Sequence, residues 1–462
     1  MTPQTSFEFL NRAAGIAPLA APRFERGEAL FAPFRFATAA AAALAFGAGV
    51  AGEIWRLRGG ERQAIHVDVP AAGASLAPHL TLRRNGSLVA ALKDETAATG
   101  FYQSGDRRWL YLRGAQPHLS TRIFDLLNAA NSREAVVESV ARWNGQALED
   151  ALAFLKMPGA LVRSAEEWRA LAGIAPPPIQ LKKIGDAPPF RPREAGQALR
   201  GLRVLDVTRY CAGAAATALL GSHGAEVLQI CSPRDPLDPP MAFSGGKRLA
   251  NLDLAKPGDA ETLRHLVREA EIFVDSHRPG VLAGLGFSPA TLAHTAPGIV
   301  VVEIAAFYGP WAPRRGFEEV VQAATGLALE AAKSGKSGLP ELICHPVLSV
   351  LTGYLAAAGA KAALLKRIRA GGSWQVNVSL AATAAWVMSL GRCAAQEGLP
   401  DGIDPYLYSC ETTSGWFELL GPVVRMDKTP PIKGALPDGF VSPRWASLHE
   451  EANGAEEQSA QT

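Results

Sequence analysis

The chain has 462 residues, 46 Lys+Arg against 44 Asp+Glu for a net charge of +2, and a hydrophobic share of 48%. That near-neutral balance supplies no field to steer the protein to nucleic acid, and no basic run interleaved with aromatics suggests a strand-binding groove. The length suits two or three domains. The five cysteines contain no Cys-x-x-Cys pair, which argues against a zinc knuckle, metal site or disulfide framework and for reduced thiols in a cytoplasmic setting.

In chain order, Met1-Thr2-Pro3-Gln4 is not a basic start followed by an apolar run, so no secretory signal is expected. Residues 37–52 are almost all Ala, Gly, Leu, Phe and Val, bracketed by Arg35 and Glu53. That run is shorter than the roughly 20 residues a spanning helix needs, so it predicts a buried, close-packed helix and no membrane partner. Residues 1–175 read as one Ala-rich, mixed half. The prolines at 176–178, 188–189 and 192 predict an extended linker over residues 176–200, since proline lacks a backbone donor.

From residue 201 to 396 the pattern alternates strand and helix. Apolar, β-branched runs at 203–207, 226–230, 272–274 and 299–304 predict strands, with helices at 211–223 and 260–270. This predicts an α/β fold: a Rossmann-like parallel sheet with helices on both faces, plus a smaller mixed α+β domain. No Gly-x-Gly-x-x-Gly follows the first strand, so a nicotinamide-type fingerprint is absent. Residues 397–462 read as a tail whose end, from about 450, is expected to be disordered. An internal echo also stands out. After each of two long Ala/Gly stretches come a basic turn, a Gly-Gly pair (Gly59-Gly60 and Gly371-Gly372), a glutamine (Gln63 and Gln375), an apolar strand and small residues.

The second half carries an ordered set of motifs. They include Gly201-Leu202-Arg203-Val204-Leu205-Asp206-Val207-Thr208-Arg209, Gly246-Lys247-Arg248, Arg278-Pro279-Gly280-Val281, Gly316-Phe317-Glu318-Glu319-Val320-Val321-Gln322-Ala323, Leu351-Thr352-Gly353-Tyr354 and Gln375-Val376-Asn377-Val378-Ser379-Leu380. Together they resemble the N-terminal portion of the class III CoA-transferases, the family of carnitine and formyl-CoA transferases. In the first half, Asp106-Arg107-Arg108-Trp109-Leu110 and Val162-Arg163-Ser164-Ala165-Glu166-Glu167-Trp168 are similar to that family's C-terminal portion. The resemblance implies acyl-CoA and carboxylate substrates, coenzyme A as substrate or ligand with no covalently bound cofactor, and a homodimer. It also implies CoA contacts at Lys247, Arg248 and Arg278, and at Cys211, Ala212 and Gly213, where the first helix opens on small residues. The adjacent pair Arg314-Arg315 is set aside as surface charge.

The family's mechanism needs an aspartate that becomes a mixed anhydride and then an aspartyl-CoA thioester. Counting back four residues from Gly353, that position holds Ser349, and no Asp or Glu lies between Pro346 and Tyr354. A serine ester can hold an acyl group but cannot become the acyl part of a CoA thioester. Three readings follow: a CoA-transferase-like protein; a catalytically inactive relative that binds acyl-CoA or pairs with an active homologue; and a CoA-thioester hydrolase or lyase using Ser349 or Cys344, with His345 as neighbour. Other positions distinctive in the family are also neutral here: Ala214, Cys231-Ser232-Pro233 and Ala305. The His-Asp pair of related racemases is missing before Val320, which disfavours carbon-acid racemisation.

Overall fold

The computed structural model describes residues 1–28, 32–89, 96–234, 240–333, 338–343, 346–394 and 398–446. The elements that build the frame are helix α1 (Phe36–Leu57), strands β1 (Gln180–Gly185) and β2 (Arg203–Asp206), helix α2 (Cys211–Ser222), strands β3 (Glu226–Cys231) and β4 (Lys247–Asn251), and helix α3 (Pro257–Arg268). They continue with strands β5 (Ile272–Asp275) and β6 (Val300–Ala305), helices α4 (Glu318–Thr325) and α5 (Val347–Ala370), strand β7 (Ser373–Ser379) and helix α6 (Leu380–Ser389).

One seven-stranded sheet runs in the order β4-β3-β2-β5-β6-β7-β1. The first six strands are mutually parallel, and β1 is antiparallel to β7. Consecutive Val300, Val301 and Val302 are all buried, as expected for a strand covered on both faces. On one face α3 seats Leu263, Leu266 and Val267 in a core with Phe273 and Val301. Pro257 starts α3, and His265 and Arg268 in its last turn complement the helix dipole. On the other face α2 and α5 cross at close range. A Cβ on Gly353 would lie 2.3 Å from the Ala212 carbonyl oxygen, so only glycine permits the approach.

The sheet corrects three boundaries read from the sequence. Part of the 176–200 stretch is extended, but as the edge strand β1 rather than a linker: Leu181 pairs with Val376 and Gln180 with Asn377. Part of the 397–462 stretch is also built into the protein. Leu407–Thr412 and Gly415–Leu420 form a hairpin, Val424–Met426 joins Ile65–Asp68, and Trp445 is buried in the α3-side core. The predicted disorder from 450 falls outside the described residues. Finally, residues 1–175 divide. Their first part, including α1, shares the large core with α2 and α5, whereas residues from about 97 to 161 wrap a lobe of their own around Tyr102, Leu110, Ile123 and Leu152. Just after the lobe, Ser164 and Glu167 form a reciprocal capping box that starts Ala165–Ala172, whose Trp168 and Ala172 join the large core.

The internal echo is structural. Strand Arg23–Glu25 lies parallel to Ile65–Asp68 as β6 lies parallel to β7. Asp68 caps Val69–Ala74 by accepting from Ala71 N–H at 3.0 Å, and Ser379 caps α6 by accepting from Ala382 N–H at 3.2 Å. Helices α1 and α5 are long and apolar enough to span a membrane by composition, yet their apolar windows are 89% and 94% buried within the protein, the state of core helices.

One core residue is charged. Lys361 in α5 is enclosed, and burial pulls its pKa down to about 7 from 10.5. Between those values the unfolded chain carries a proton that the folded chain lacks, so this group makes stability rise with pH across about 7 to 10.5 and weigh most against folding below 7. Urea unfolding at pH 7.5 and 9.5 is expected to show a gain about 2 kcal/mol larger for the wild type than for Lys361→Met.

Candidate functional site

Chain connections leave β2 in opposite directions, to β3 and β4 on one side and to β5, β6 and β7 on the other. The carboxyl ends of β2 and β5 therefore form the topological switch point, where open α/β sheets hold ligands. The two loops there touch: Val207 N–H donates to Val274 O at 3.0 Å, and Arg209 N–H donates to Ser276 Oγ at 3.4 Å. Arg278 stands half-buried on the second loop. Arg315, half-buried just before α4, comes into its field together with Arg122 and Arg209; burial first, then Arg278, lowers the Arg315 pKa. Among the described residues neither the Arg278 nor the Arg315 guanidinium has a hydrogen bond or an acidic partner. Two half-buried guanidinium groups without a counter-charge form a site prepared for an anion. Aromatic edges border it: Tyr210 and Phe317 meet at 5.4 Å, and the Arg113 guanidinium lies 5.2 Å from the Phe317 ring.

Ser349 occupies the first turn of α5, which crosses α2 beside Ala212. The carboxylate that bonds its backbone N–H is Glu318, supplied by α4. Glu318 accepts from Leu348 N–H at 3.0 Å, from Ser349 N–H at 2.7 Å and from Gln322 Nε2 at 3.0 Å. It is 2% exposed, so both its oxygens serve as the N-terminal cap of α5 and as a buried hydrogen-bond hub. Ser349 Oγ has no hydrogen bond to a described residue, so among the described residues no imidazole or amine activates it. At the mouth of α2, burial and then Glu318 push the Cys211 thiol up to about 12. A thiol held protonated at neutral pH is a poor nucleophile. Cys344 and His345 lie outside the described residues.

Cys211, Ala212 and Ser349 thus lie around the crossing of α2 and α5, Arg278 lies with Arg315 by the loop after β5, and the remaining candidates lie elsewhere. Gly213 packs on its own turn: a Cβ there would lie 2.1 Å from Thr208 Oγ1, so its small size serves the Thr208–Asp206 hydrogen bond rather than a ligand. Lys247 is fully enclosed. Its Nζ donates to Ala214 O at 2.9 Å and lies 3.4 Å from Asp206 Oδ2. Arg248 is near the opposite, amino end of the strands, paired with Glu226 at 3.0 Å and donating to Arg444 O at 3.0 Å. Arg315, set aside in the sequence as surface charge, lies by contrast at the switch point. Its position directly before the Gly316-Phe317 motif was the signal available. Another pairing was not legible: Asp275 and Glu303 are register partners at the ends of β5 and β6, and His277 Nδ1 lies 2.8 Å from Asp275 Oδ1. Burial, with a smaller effect from Asp275, raises the Glu303 carboxyl pKa.

A doubly wound sheet with unpaired arginines at its switch point belongs to the class of α/β proteins that receive anionic ligands at strand ends. Residues 199–401, a little under half of the chain, match CoA-transferase family III. An acyl-CoA transferase of Gibberella moniliformis is 29% identical over 322 residues, covering 62% of this chain and 55% of its own. A formyl-CoA:oxalate CoA-transferase of Afipia carboxidovorans is 31% identical over 199 residues, covering 40% of this chain and 46% of its own. The crystal structure of Rv3272 from Mycobacterium tuberculosis is 27% identical, covering 42% of this chain and 56% of its own with a TM-score of 0.40. The chain therefore spans about half the length of these relatives.

Proposed function

We propose that the protein is CoA-transferase-like and binds acyl-CoA at the switch point, with anionic groups of the ligand at Arg278 and Arg315. The observation that carries this reading is the pair of half-buried, unpaired arginines inside the family III segment. A phosphate-bearing ligand supplies the counter-charge they lack. Carboxylic acids as CoA acceptors, a homodimer and a cytoplasmic location belong to the same proposal, the first two through the family resemblance. Calorimetric titration with CoA and acetyl-CoA at two salt concentrations tests it. Saturable binding that weakens with salt is expected, and absence of binding at millimolar ligand would overturn it.

One observation favours a second reading, in which the bound acyl-CoA is not turned over. Glu318, the carboxylate bonded to the Ser349 backbone, is consumed by capping α5. The unaltered protein is then expected to show no covalent CoA adduct by intact mass after incubation with acetyl-CoA. Ser349→Asp, which restores a carboxyl at that place, is expected to acquire one CoA thioester per chain. An adduct on the unaltered protein would sink this second reading.

A further inference from the structure

A second cavity lies toward the other end of α2. Leu44 of α1, Leu82, Ala215 and Leu219 of α2, Phe243, and Leu419 of the hairpin line a cleft of about 100 Å³ that opens to solvent. Leu44, Leu219, Ser222 and Tyr354 also line a small inner chamber of about 20 Å³, whose wall carries Gly47, His223 and Lys361. His223 directly follows α2, about 18 Å along the axis from Cys211 at 1.5 Å per residue. This chamber is therefore distinct from the switch-point site.

The chamber is mostly apolar, and the Ser222 and Tyr354 hydroxyls in its wall are already hydrogen-bonded, to Leu219 O and Ser75 Oγ. Lys361 is 2% exposed and His223 4% exposed. Among the described residues nothing hydrogen-bonds to Lys361 Nζ, and His223 Nδ1 is buried without a partner. No Asp or Glu lines either the cleft or the chamber. The ammonium packs against α1 so closely that a Cβ on Gly47 would lie 2.9 Å from Nζ. The groups that face it are His223 after α2 and the Tyr354 hydroxyl on its own helix, which donates to Ser75 Oγ at 2.9 Å. An isolated amine and an imidazole nitrogen, both enclosed and unsatisfied at the end of an apolar channel, are a costly arrangement unless a ligand completes it. The missing complement is an anion with hydrogen-bond acceptors, and the outer walls, mostly apolar but with Thr81, Tyr408 and Lys433 among them, suit a mainly hydrocarbon body.

We propose that this chamber binds an apolar monocarboxylate, its carboxylate paired with Lys361 beside His223 and its hydrocarbon body lying along the cleft between α1, α2 and the hairpin. The carboxylate would hold Lys361 in its charged form. Burial keeps that amine largely neutral above pH 7 in the empty chamber, so binding at pH 8 takes up a proton.

Calorimetry at pH 8 with octanoate and 1-octanol, in two buffers of different ionisation enthalpy, tests the site. Octanoate is expected to bind once per chain, at least 10-fold tighter than octanol, with uptake approaching one proton. Lys361→Met is expected to bring the two ligands within about two-fold of each other. Leu219→Trp, which fills the cleft and leaves Lys361 in place, is expected to lose both. Equal binding of octanoate and octanol to the wild type, octanoate binding without proton uptake, or octanoate binding untouched by either substitution would each overturn the proposal. So would the absence of saturable octanoate binding at millimolar concentration. If Lys361→Met does not fold, the octanoate–octanol ratio and the proton count of the wild type decide the matter.

Discussion

Lys247→Met is expected to lower the free energy of unfolding by about 3–5 kcal/mol and to leave CoA affinity per folded molecule within about two-fold. The reason is the company that Lys247 keeps. Its side chain and that of Asp206 are both 0% exposed, with Nζ 3.4 Å from Oδ2. Asp206 also accepts from Thr208 N–H at 2.9 Å, Thr208 Oγ1 at 2.7 Å and Thr217 Oγ1 at 2.5 Å. Burial lowers the Lys247 pKa and Asp206 partly restores it, so each charge is tolerable because of the other. Methionine removes the ammonium and leaves a buried carboxylate uncompensated. Asp206→Asn in the Lys247→Met background should recover part of the loss, since the amide keeps an acceptor for the threonines without the charge. Chemical denaturation of the four proteins closes the cycle. A large fall in CoA affinity with stability intact would instead return Lys247 to the ligand site.

Lys247 also shows where sequence reading stops. The order of strands and helices from residue 203 to 305 was legible because parallel strands buried on both faces are continuous apolar runs with helices between them. Strand β4 was not, since Lys247-Arg248 opens it and reads as a basic turn. In the fold the two side chains point differently, Lys247 into the core beneath α2 and Arg248 to the Glu226 carboxylate at the strands' amino end. Edge strand β1 was hidden by Lys182 and Lys183, which suit an exposed edge, and by flanking prolines that read as linker. At the site, the substitution at Ser349 was visible by counting from Gly353. That Glu318 caps the same helix depends on how α4 packs on α5, and no local pattern encodes it. The internal echo was visible in its Gly-Gly pairs and glutamines, but not its consequence, the packing of α1 with α5 in one core.

Removing the switch-point arginines should produce the opposite signature to Lys247→Met. Arg278→Ala and Arg315→Ala are each expected to weaken CoA binding by about 10-fold or more, because a hydrogen bond to a charged group contributes about 1.5–3 kcal/mol. The double substitution should cost on the order of 100-fold if the two act separately, and less if they grip one anionic group together. Each loss should shrink as salt rises, since screening already weakens the wild-type contact. Stability of the ligand-free protein should hold or improve. Arg278 lowers the Arg315 pKa, which means that the two cations oppose each other when nothing sits between them, and no described acid offsets the repulsion. Added CoA should therefore raise the thermal midpoint of the wild type more than that of either variant. An arginine there for the fold's sake would show a lower midpoint without ligand and an unchanged dissociation constant. An arginine there for an anion shows an unchanged midpoint and a weakened, less salt-sensitive constant, so the two measurements together separate a pair held apart by the scaffold from one that belongs to it.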